Sequence, residues 1–344
     1  MRFRHLRTTW RSPQRPHAPD RWLAVSVSVL VMFGFLMLAS ASSIYSYQRF
    51  GSAYRVFLRQ LFVGGLPGVL LFGLTASVDY RHWLRYRRWF GWASVVLLAA
   101  VFAPGIGATY NRSHSWVDLG FFSFQPVELV KLTALVYLAG GLAQAGFERV
   151  SSFRRGFLPF LGWLGIISAL IGLQPDYGSL LLVIIILTVT YFSAGARLRY
   201  LGYLVGLGVC GVLLLWLNGS TFAQRVATFL KPGADPQGVG YHISQAYLAI
   251  GSGGWFGRGL GKSHQKFAYL PEVWSDSIFA VIAEELGFFA AAALVILLLL
   301  VVVRALAVAA RATEPFGRFL AVGIGTWVGF QSFLNIAVMV GLAP

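Results

Sequence analysis

Apolar residues in this chain fall into blocks of 15 to 26 residues that are separated by short basic stretches. A helix needs about 20 apolar residues to cross the ~30 Å hydrocarbon core of a bilayer. Helices also satisfy their own backbone polar groups there, which irregular chain cannot do. The pattern therefore predicts an all-α membrane bundle with nine spanning helices. Their expected bounds are 22–40, 56–76, 89–103, 127–144, 157–173, 178–194, 201–217, 278–303 and 319–342.

Two of the predicted spans, 89–103 and 157–173, are shorter than a crossing normally needs. We expect these helices to be recessed in the bundle or broken, and Pro159 favours this for the second of them. No repeat of fixed period and no low-complexity linker divides the chain. Residues 1–344 are therefore expected to form a single integral membrane domain.

The composition excludes an ordinary soluble domain. The mean hydropathy is +0.68 and 12% of the residues are charged, against about a quarter in soluble proteins. A net charge of +16 would raise nucleic acid as a partner for a soluble chain, but here most Lys and Arg residues lie between apolar blocks. Such residues orient helices and attract anionic lipid headgroups. We expect the membrane, and no nucleic acid, as a partner. The single cysteine, Cys210, allows no internal disulfide and is expected in the core.

The basic residues also predict the orientation of the chain. With the basic tail 1–21 in the cytoplasm, 18 of the 28 Lys and Arg residues lie on the cytoplasmic side, as the positive-inside rule requires. The first apolar block is too long for a signal peptide and lacks a small-residue cleavage site, so it is expected to be a retained helix. This orientation places the segments 104–126 and 218–277 outside. The second is the only loop that is large enough to hold a site of its own.

Glu128 and Lys131 lie three residues apart at the start of the fourth predicted span, on one helix face. Charged groups within a bilayer are costly, so each needs a partner or a function. One interpretation is a structural ion pair. The other is a functional pair in which Lys131 faces a cavity and meets an anionic headgroup, and the two interpretations are compatible.

Asp276 stands at the predicted outer mouth of the eighth span. A partly desolvated carboxylate there could accept a proton from a sugar hydroxyl. The alternative is a helix cap, in which Asp276 or Ser275 accepts hydrogen bonds from backbone N–H groups and stabilises the helix by ~1 kcal/mol. The residues alone favour the cap. Glu284 and Glu285 lie two turns deeper, and at most one of them can share the face of Asp276.

The long outer loop carries an excess of positive charge that suits a diphosphate at the outer leaflet. Its glycines at 251–261 allow tight turns and close backbone approach. The basic residues of the loop are Arg225, Lys231, Arg258, Lys262 and Lys266, against Asp235, Glu272 and Asp276 at its border.

Four stretches together resemble the FtsW/RodA/SpoVE family, also called SEDS proteins. They are QPVELVKL at 125–132, QPDYGS at 174–179, the long stretch from GVGYHISQ to IAEELG at 238–287, and QSFLNIAVMVGLAP at 331–344. The resemblance covers nearly the whole chain. The segment GLGKSHQKFAYLPE resembles the FtsW and SpoVE branches more than RodA.

The resemblance implies a peptidoglycan glycosyltransferase in the bacterial cytoplasmic membrane. Its reaction would join the 4-hydroxyl of one lipid II to C1 of the muramyl sugar of the growing strand, with inversion to a β-1,4 bond and release of undecaprenyl diphosphate. Asp276 would be the catalytic base, which reverses the preference for a cap. Lipid II, a class B penicillin-binding transpeptidase and divisome proteins are the implied partners. No cofactor is certain, and a divalent cation is left open. The implied substrate-binding residues are Lys131, Glu128, Arg258, Lys262, Lys266 and Gln245.

The chain departs from the family pattern at three positions. Ser115 stands where an arginine is usual, with Arg112 as a candidate to compensate, Val127 replaces a serine, and His242 replaces a glutamine. The sequence also stops at Pro344, where the family continues into a further loop and a tenth helix, so a fragment is expected.

Two other functions compete with the enzyme. A lipid II flippase needs a polar path to both membrane faces, whereas a polymerase needs its polar groups gathered on the outer side. A non-catalytic scaffold for a transpeptidase is the third interpretation. The predicted positions of Asp276, the basic loop and the Glu128–Lys131 pair in the outer half favour the enzyme.

Overall fold

The structure is a computed structural model and describes residues 19–343 except 106, 111–112, 119, 121–122, 218–225, 228, 230–238, 268–269 and 272. Helices dominate these ranges. They are α1 (Arg21–Phe50), α2 (Arg55–Ser77), α3 (Arg81–Arg85), α4 (Arg87–Ala100), α5 (Pro126–Ala145), α6 (Phe147–Val150), α7 (Phe153–Gly172), α8 (Tyr177–Ser193), α9 (Arg199–Leu217), α10 (Val239–Gly253), α11 (Ile278–Arg311) and α12 (Pro315–Met339).

Each of the nine predicted spans is a helix, and the all-α prediction is confirmed. Seven helices among the described residues, namely α1, α2, α5, α7, α9, α11 and α12, are long and apolar enough to cross a membrane. Helix α8 is apolar but has 17 residues, and α4 has 14. The chain is therefore a multi-pass membrane protein.

The prediction of a short fifth span is wrong. A π-helical turn at Phe153–Phe157 precedes the α-helical part that begins at Leu158, and together they give α7 20 residues. Pro159 lies in the first turn of that α-helical part, where its missing N–H group costs little. The other short block, 89–103, is confirmed as short, since α4 ends at Ala100.

Helix α5 forms the centre of the main apolar core. Its residues Val130, Ala134 and Val136 are fully buried, and it packs against α4, α8 and α12. The faces of α2 and α9 are mostly exposed, as lipid-facing helices require. Cys210 lies on α9 and is exposed, so its expected place in the core is wrong.

A small antiparallel sheet lies in the segment 104–126, which the sequence pattern left as a loop. Its strands are β1 (Gly107–Tyr110), β2 (Ser113–Asp118) and β3 (Ser123–Phe124), in that spatial order. Just after β3, the Gln125 side chain donates to Asp176, the N-cap residue of α8, at 2.6 Å. This bond ties the sheet to the end of the bundle at which α5 and α8 begin.

The long segment 218–277 is not a plain loop, because it contains α10. Ala246 and Ala249 of α10 are fully buried and cluster with Val281 of α11 and Ala41 of α1. Small side chains at three-residue spacing allow this close approach of helices. The cluster places α10 against the beginning of α11.

Helix α11 is broken at Gly287, which has φ 79° and ψ −176°. The carbonyls of Glu284 and Glu285 accept hydrogen bonds from the N–H groups of Arg258 (3.0 Å) and Gly259 (2.9 Å). On the other side of the break, the N–H of Phe288 donates to the carbonyl of Gly254 at 2.9 Å. The loop after α10 therefore satisfies the backbone groups that the break frees, as membrane interiors demand.

Ion pairs join helices at the end of the bundle where α1 and α12 begin and α11 ends. Arg304, near the end of α11, forms a salt bridge with Asp20, the N-cap residue of α1. Arg81 of α3 donates to Glu314, the N-cap residue of α12, at 2.5 and 2.9 Å. The hydrogen bond from Arg304 lowers the pKa of Asp20, and the bond to Glu314 raises the pKa of Arg81.

Candidate active site

Asp276 is exposed in the turn that leads into α11. The N-cap residue of α11 is Ser277, and it makes no side-chain capping hydrogen bond. Within the described part of the chain, no hydrogen bond or ion pair engages the Asp276 carboxylate. The capping interpretation of Asp276 is therefore wrong, and its carboxylate is open to solvent.

The turn that carries Asp276 is firmly anchored. Leu270 and Val273 are buried on one side, and the ring of Trp274 packs on that of Tyr45 of α1 at a centroid distance of 4.0 Å. The packing of these neighbours fixes the backbone of the turn, and the Asp276 carboxylate makes no hydrogen bond to the described residues. Such a group can act on a substrate without first breaking a contact within the protein.

Two of the predicted basic residues present their charge at the surface. Arg258 is 40% exposed, its Nε donates to the Ser252 carbonyl at 3.1 Å, and its Nη1 lies 3.9 Å from Oε1 of the buried Glu284. Lys262, four residues later in the same loop, is also exposed. Arg225 and Lys231 lie outside the described residues. Arg258 and Lys262 therefore remain as candidate diphosphate ligands.

Lys266 differs from Arg258 and Lys262, because it is buried within the protein. Its side chain is 2% exposed, and its Nζ lies 3.0 Å from Oε1 of Glu285, which is itself buried. Glu285 also accepts hydrogen bonds from Ser40 of α1 at 2.7 and 2.9 Å. Lys266 thus neutralises a buried carboxylate, and its role as a substrate ligand stays a prediction.

Glu284 holds the other side of the same loop. Its carboxylate accepts hydrogen bonds from the Ser263 hydroxyl at 2.5 Å and from the N–H of His264 at 2.8 Å. Sequence reasoning left Glu284 and Glu285 without a role. The sequence did contain a signal, because two adjacent acids stand just before a glycine inside an apolar block. In the structure both acids are buried beside the helix break at Gly287.

The Glu128–Lys131 ion pair is confirmed, with Lys131 Nζ 2.7 Å from Glu128 Oε2. The Lys131 side chain is 0% exposed and that of Glu128 is 47% exposed. Nζ also donates to Gln331 of α12 at 2.7 Å and lies 5.0 Å from the Trp327 ring centre. Contact of Lys131 with a lipid phosphate stays a prediction, because neighbouring side chains enclose the ammonium group.

The buried charges lie in the half of the bundle that carries Asp276. Lys131 is in the second turn of α5, and Glu284 and Glu285 are in the first part of α11. Gln331 belongs to the later part of α12, whose last residue, Met339, packs in the cluster at the beginning of α11. The buried charged side chains of the described chain therefore gather towards one end of the bundle.

The predicted site residues do not form one contiguous network. No hydrogen bond or ion pair between described residues joins Asp276 to Arg258, to Lys262 or to the Glu128–Lys131 pair. Gln245 is half-buried on α10, next to Ala246 in the contact with α11. A substrate that reaches from the basic loop to Asp276 would have to connect these groups itself.

Two departures from the family pattern are buried within the fold. Ser115 of β2 and Val127 of α5 are each 1% exposed. His242 contacts Ser277 beside Asp276. Arg112, the expected replacement for the missing arginine, lies outside the described residues. Among the residues that are described, no group of three or more His, Cys, Asp or Glu side chains is arranged to hold a metal ion.

Sequence comparison places this architecture among known membrane proteins. The FtsW, RodA and SpoVE family model, described as cell cycle protein, matches residues 21–344. The stage V sporulation protein E of Bacillus subtilis is 36% identical over 327 residues, which cover 95% of this chain and 89% of the relative. A probable peptidoglycan glycosyltransferase FtsW of Geobacter sulfurreducens is 37% identical over 328 residues, with coverage of 94% and 87%.

Solved structures agree with the sequence relatives. A chain of a peptidoglycan synthase complex, studied for how polymerisation and crosslinking are coordinated, superposes with a TM-score of 0.75 at 28% identity, covering 95% of this chain and 89% of that one. The rod shape determining protein RodA of Thermus thermophilus gives a TM-score of 0.66 at 29% identity, with coverage of 94% and 86%. The helical bundle and its connections are thus those of this group of proteins.

Proposed function

Because the chain belongs to the FtsW, RodA and SpoVE family of cell cycle proteins, it is a peptidoglycan glycosyltransferase, and we propose that Asp276 is its catalytic base. The enzyme polymerises lipid II into glycan strands. The observation that supports the assignment of Asp276 is the contrast between its exposed, unengaged carboxylate and the buried acids Glu284 and Glu285, which are fully engaged by the described residues around them.

In the proposed step, the Asp276 carboxylate takes the proton from the 4-hydroxyl of the acceptor sugar. The hydroxyl oxygen forms a bond to C1 of the donor sugar while the C1–oxygen bond to the diphosphate breaks. The leaving diphosphate is already a stable anion, so the nucleophile needs the base. Arg258 and Lys262 are proposed to stabilise the charge that develops on the diphosphate.

No resident cofactor is proposed, and a divalent cation fits the site as a companion of the substrate. Mg²⁺ is commonly bound by one or two carboxylates together with substrate phosphates. The substrate diphosphate would hold such a cation, because Asp276 serves as the base in the proposed step. Such a cation would supply charge neutralisation to the diphosphate.

The proposed partners follow from the same assignment. Lipid II is the substrate, a class B penicillin-binding transpeptidase is the crosslinking partner, and divisome proteins are the wider assembly. We propose the bacterial cytoplasmic membrane as the location, with the N-terminus in the cytoplasm and Asp276 on the outer face.

A flippase is less well supported than the polymerase, because a transporter needs polar groups at both faces. The buried charged side chains of the described chain, Lys131, Lys266, Glu284 and Glu285, all lie in the Asp276 half and are paired. A scaffold without catalysis would not require an unengaged carboxylate on an anchored turn.

The test is an Asp276→Asn variant of the full-length protein in complex with its transpeptidase, assayed by gel for glycan strands made from lipid II. Removal of a general base is expected to lower the polymerisation rate by about 10²- to 10⁴-fold. Glu148→Gln, which removes an exposed carboxylate from α6, is the matched control and should keep full activity. Retained polymerisation by Asp276→Asn, with normal yield and partner binding, would remove the assignment.

A further inference from the structure

The residue that follows Asp276 makes two short hydrogen bonds that join three segments of the chain. The hydroxyl of Ser277 donates to the carbonyl of Pro271 at 2.7 Å. The same oxygen lies 2.6 Å from Nε2 of His242 in the first turn of α10. A buried serine thus closes the turn that carries Asp276 and fastens this turn to a neighbouring helix.

The roles of the three groups follow from the number of hydrogens. A serine hydroxyl has one proton, and the Pro271 carbonyl can only accept. Since the Ser277 hydroxyl donates to that carbonyl, His242 Nε2 must carry a proton and donate to Ser277 Oγ. The imidazole of His242 therefore donates to the Ser277 hydroxyl, which in turn donates to the Pro271 carbonyl.

Ser277 is the N-cap residue of α11, but its side chain does not cap the helix. A serine at the N-cap of a helix usually uses its oxygen to accept a bond from a backbone N–H of the first turn. Ser277 makes no such bond, and its side chain is fully buried. The hydroxyl is diverted from capping to hold the turn against α10.

We propose that His242 is a positioning residue for the glycosyl transfer, acting through Ser277 on the Asp276 carboxylate. Adjacent Cα atoms are 3.8 Å apart, so the bonds at Ser277 restrict the position of the Asp276 backbone from which the carboxylate extends. This inference rests on the proposed catalytic role of Asp276. A glutamine, which the family resemblance places at this position, could donate the same bond from its amide NH₂.

The test compares four variants of the full-length protein with its transpeptidase. Loss of the bond in His242→Ala or Ser277→Ala is expected to lower kcat for lipid II polymerisation about tenfold, with KM within twofold, because the substrate contacts remain. His242→Gln should restore activity to within about threefold of the parent. Ser244→Ala, on the exposed side of the same helix, is the control and should be unchanged.

A double variant separates positioning from general destabilisation. If both residues act in one chain, His242→Ala combined with Ser277→Ala should be no slower than either alone, and His242→Ala should have no further effect in the Asp276→Asn background. Full activity of His242→Ala, or a loss that only follows the loss of folded protein in both single variants, would overturn the inference. Activity of Asp276→Asn itself would instead refute the proposed function, so the two failures are distinguishable.

Discussion

At the scale of single residues, the Glu128–Lys131 pair has two unequal members. The Lys131 side chain is 0% exposed, whereas that of Glu128 is 47% exposed. If Lys131 is removed, Glu128 remains solvated. If Glu128 loses its charge, the contacts of the buried ammonium group with other described residues are those with the neutral Gln331 and the face of Trp327. Loss of the Glu128 charge should therefore lower the stability of the fold more than loss of Lys131.

We predict that Glu128→Gln lowers the thermal stability of the purified protein more than Lys131→Met does. Glutamine keeps an acceptor oxygen but not the negative charge, and a buried charge that is left without its countercharge destabilises a fold by up to about 3–5 kcal/mol. Melting temperatures in detergent measure the difference. Equal losses in the two variants would contradict the asymmetry that the exposure values indicate.

Activity adds a separate criterion for the same pair. If Lys131 contacts a lipid phosphate, Lys131→Met should lose more polymerisation per folded molecule than Glu128→Gln, in the reverse order of the stability effect. The same order in both measurements would leave Lys131 with a structural role alone. The full-length protein with its transpeptidase serves for the activity measurement.

The spacing of Glu128 and Lys131 was enough to predict their contact, because i,i+3 residues share a helix face. No such rule applies to Lys266, which lies in a loop without a period. Its burial depends on Glu285, 19 residues later, and on Ser40, which is distant in sequence. The sequence therefore could not distinguish a buried partner from an exposed phosphate ligand.

At the scale of elements, the break in α11 has no counterpart in the hydropathy pattern. The apolar run through 278–303 predicts one continuous helix, and its start at residue 278 is confirmed. The break at Gly287 requires the loop 254–259 to supply donors and acceptors from outside the helix. Periodicity describes only contacts within the element, so this arrangement was not predictable from it.

The break depends on Gly287 for two reasons, its positive φ and the absence of a side chain. A Cβ at Gly287 would overlap with the backbone of Phe256 and Gly257, whereas a Cβ at Gly261, which has a similar φ of 78°, would meet no atom of the described residues within 4 Å. Gly261→Ala should therefore cost only the conformational strain of about 1–2 kcal/mol. Gly287→Ala must also displace the loop.

We predict that Gly287→Ala sharply reduces the yield of monodisperse protein, whereas Gly261→Ala lowers the melting temperature by only a few degrees. Size-exclusion chromatography and thermal melting in detergent measure the two effects. Similar behaviour of the two variants would mean that strain alone, and not the packing of the loop against the broken helix, explains the need for glycine.

At the scale of the whole molecule, the end of the bundle away from Asp276 is held by ion pairs that join elements distant in sequence. Asp20 precedes α1 and pairs with Arg304 of α11, and the hydrogen bond from Arg304 lowers the pKa of Asp20. A lowered pKa in the folded state means that the pair stabilises the fold above the ordinary carboxyl pKa of about 4. This contribution is lost as the pH falls further.

The expected result is that the stability advantage of the parent over Asp20→Asn, present at pH 7, shrinks as the pH falls from about 5 to 3. Asparagine is as good an N-cap as aspartate, so the variant removes the charge and keeps the cap on Leu23. Melting temperatures across this pH range, in a detergent without charge, report the difference. An advantage that stays constant down to pH 3 would show that the Arg304 contact does not depend on the carboxylate charge.

The orientation of the bundle determines whether Asp276 can meet a lipid-linked sugar outside the cytoplasm. Basic residues predict that the N-terminus lies in the cytoplasm. Ser244 lies on α10, which packs against the beginning of α11, and Thr313 follows the end of α11, so the two residues should lie on opposite sides of the membrane. In a Cys210→Ser background, we expect a membrane-impermeant maleimide to label Ser244→Cys in intact spheroplasts and Thr313→Cys only after lysis. Both residues are exposed and close in size to cysteine. The reverse pattern would put Asp276 on the cytoplasmic face, where its carboxylate could not act on strands assembled outside.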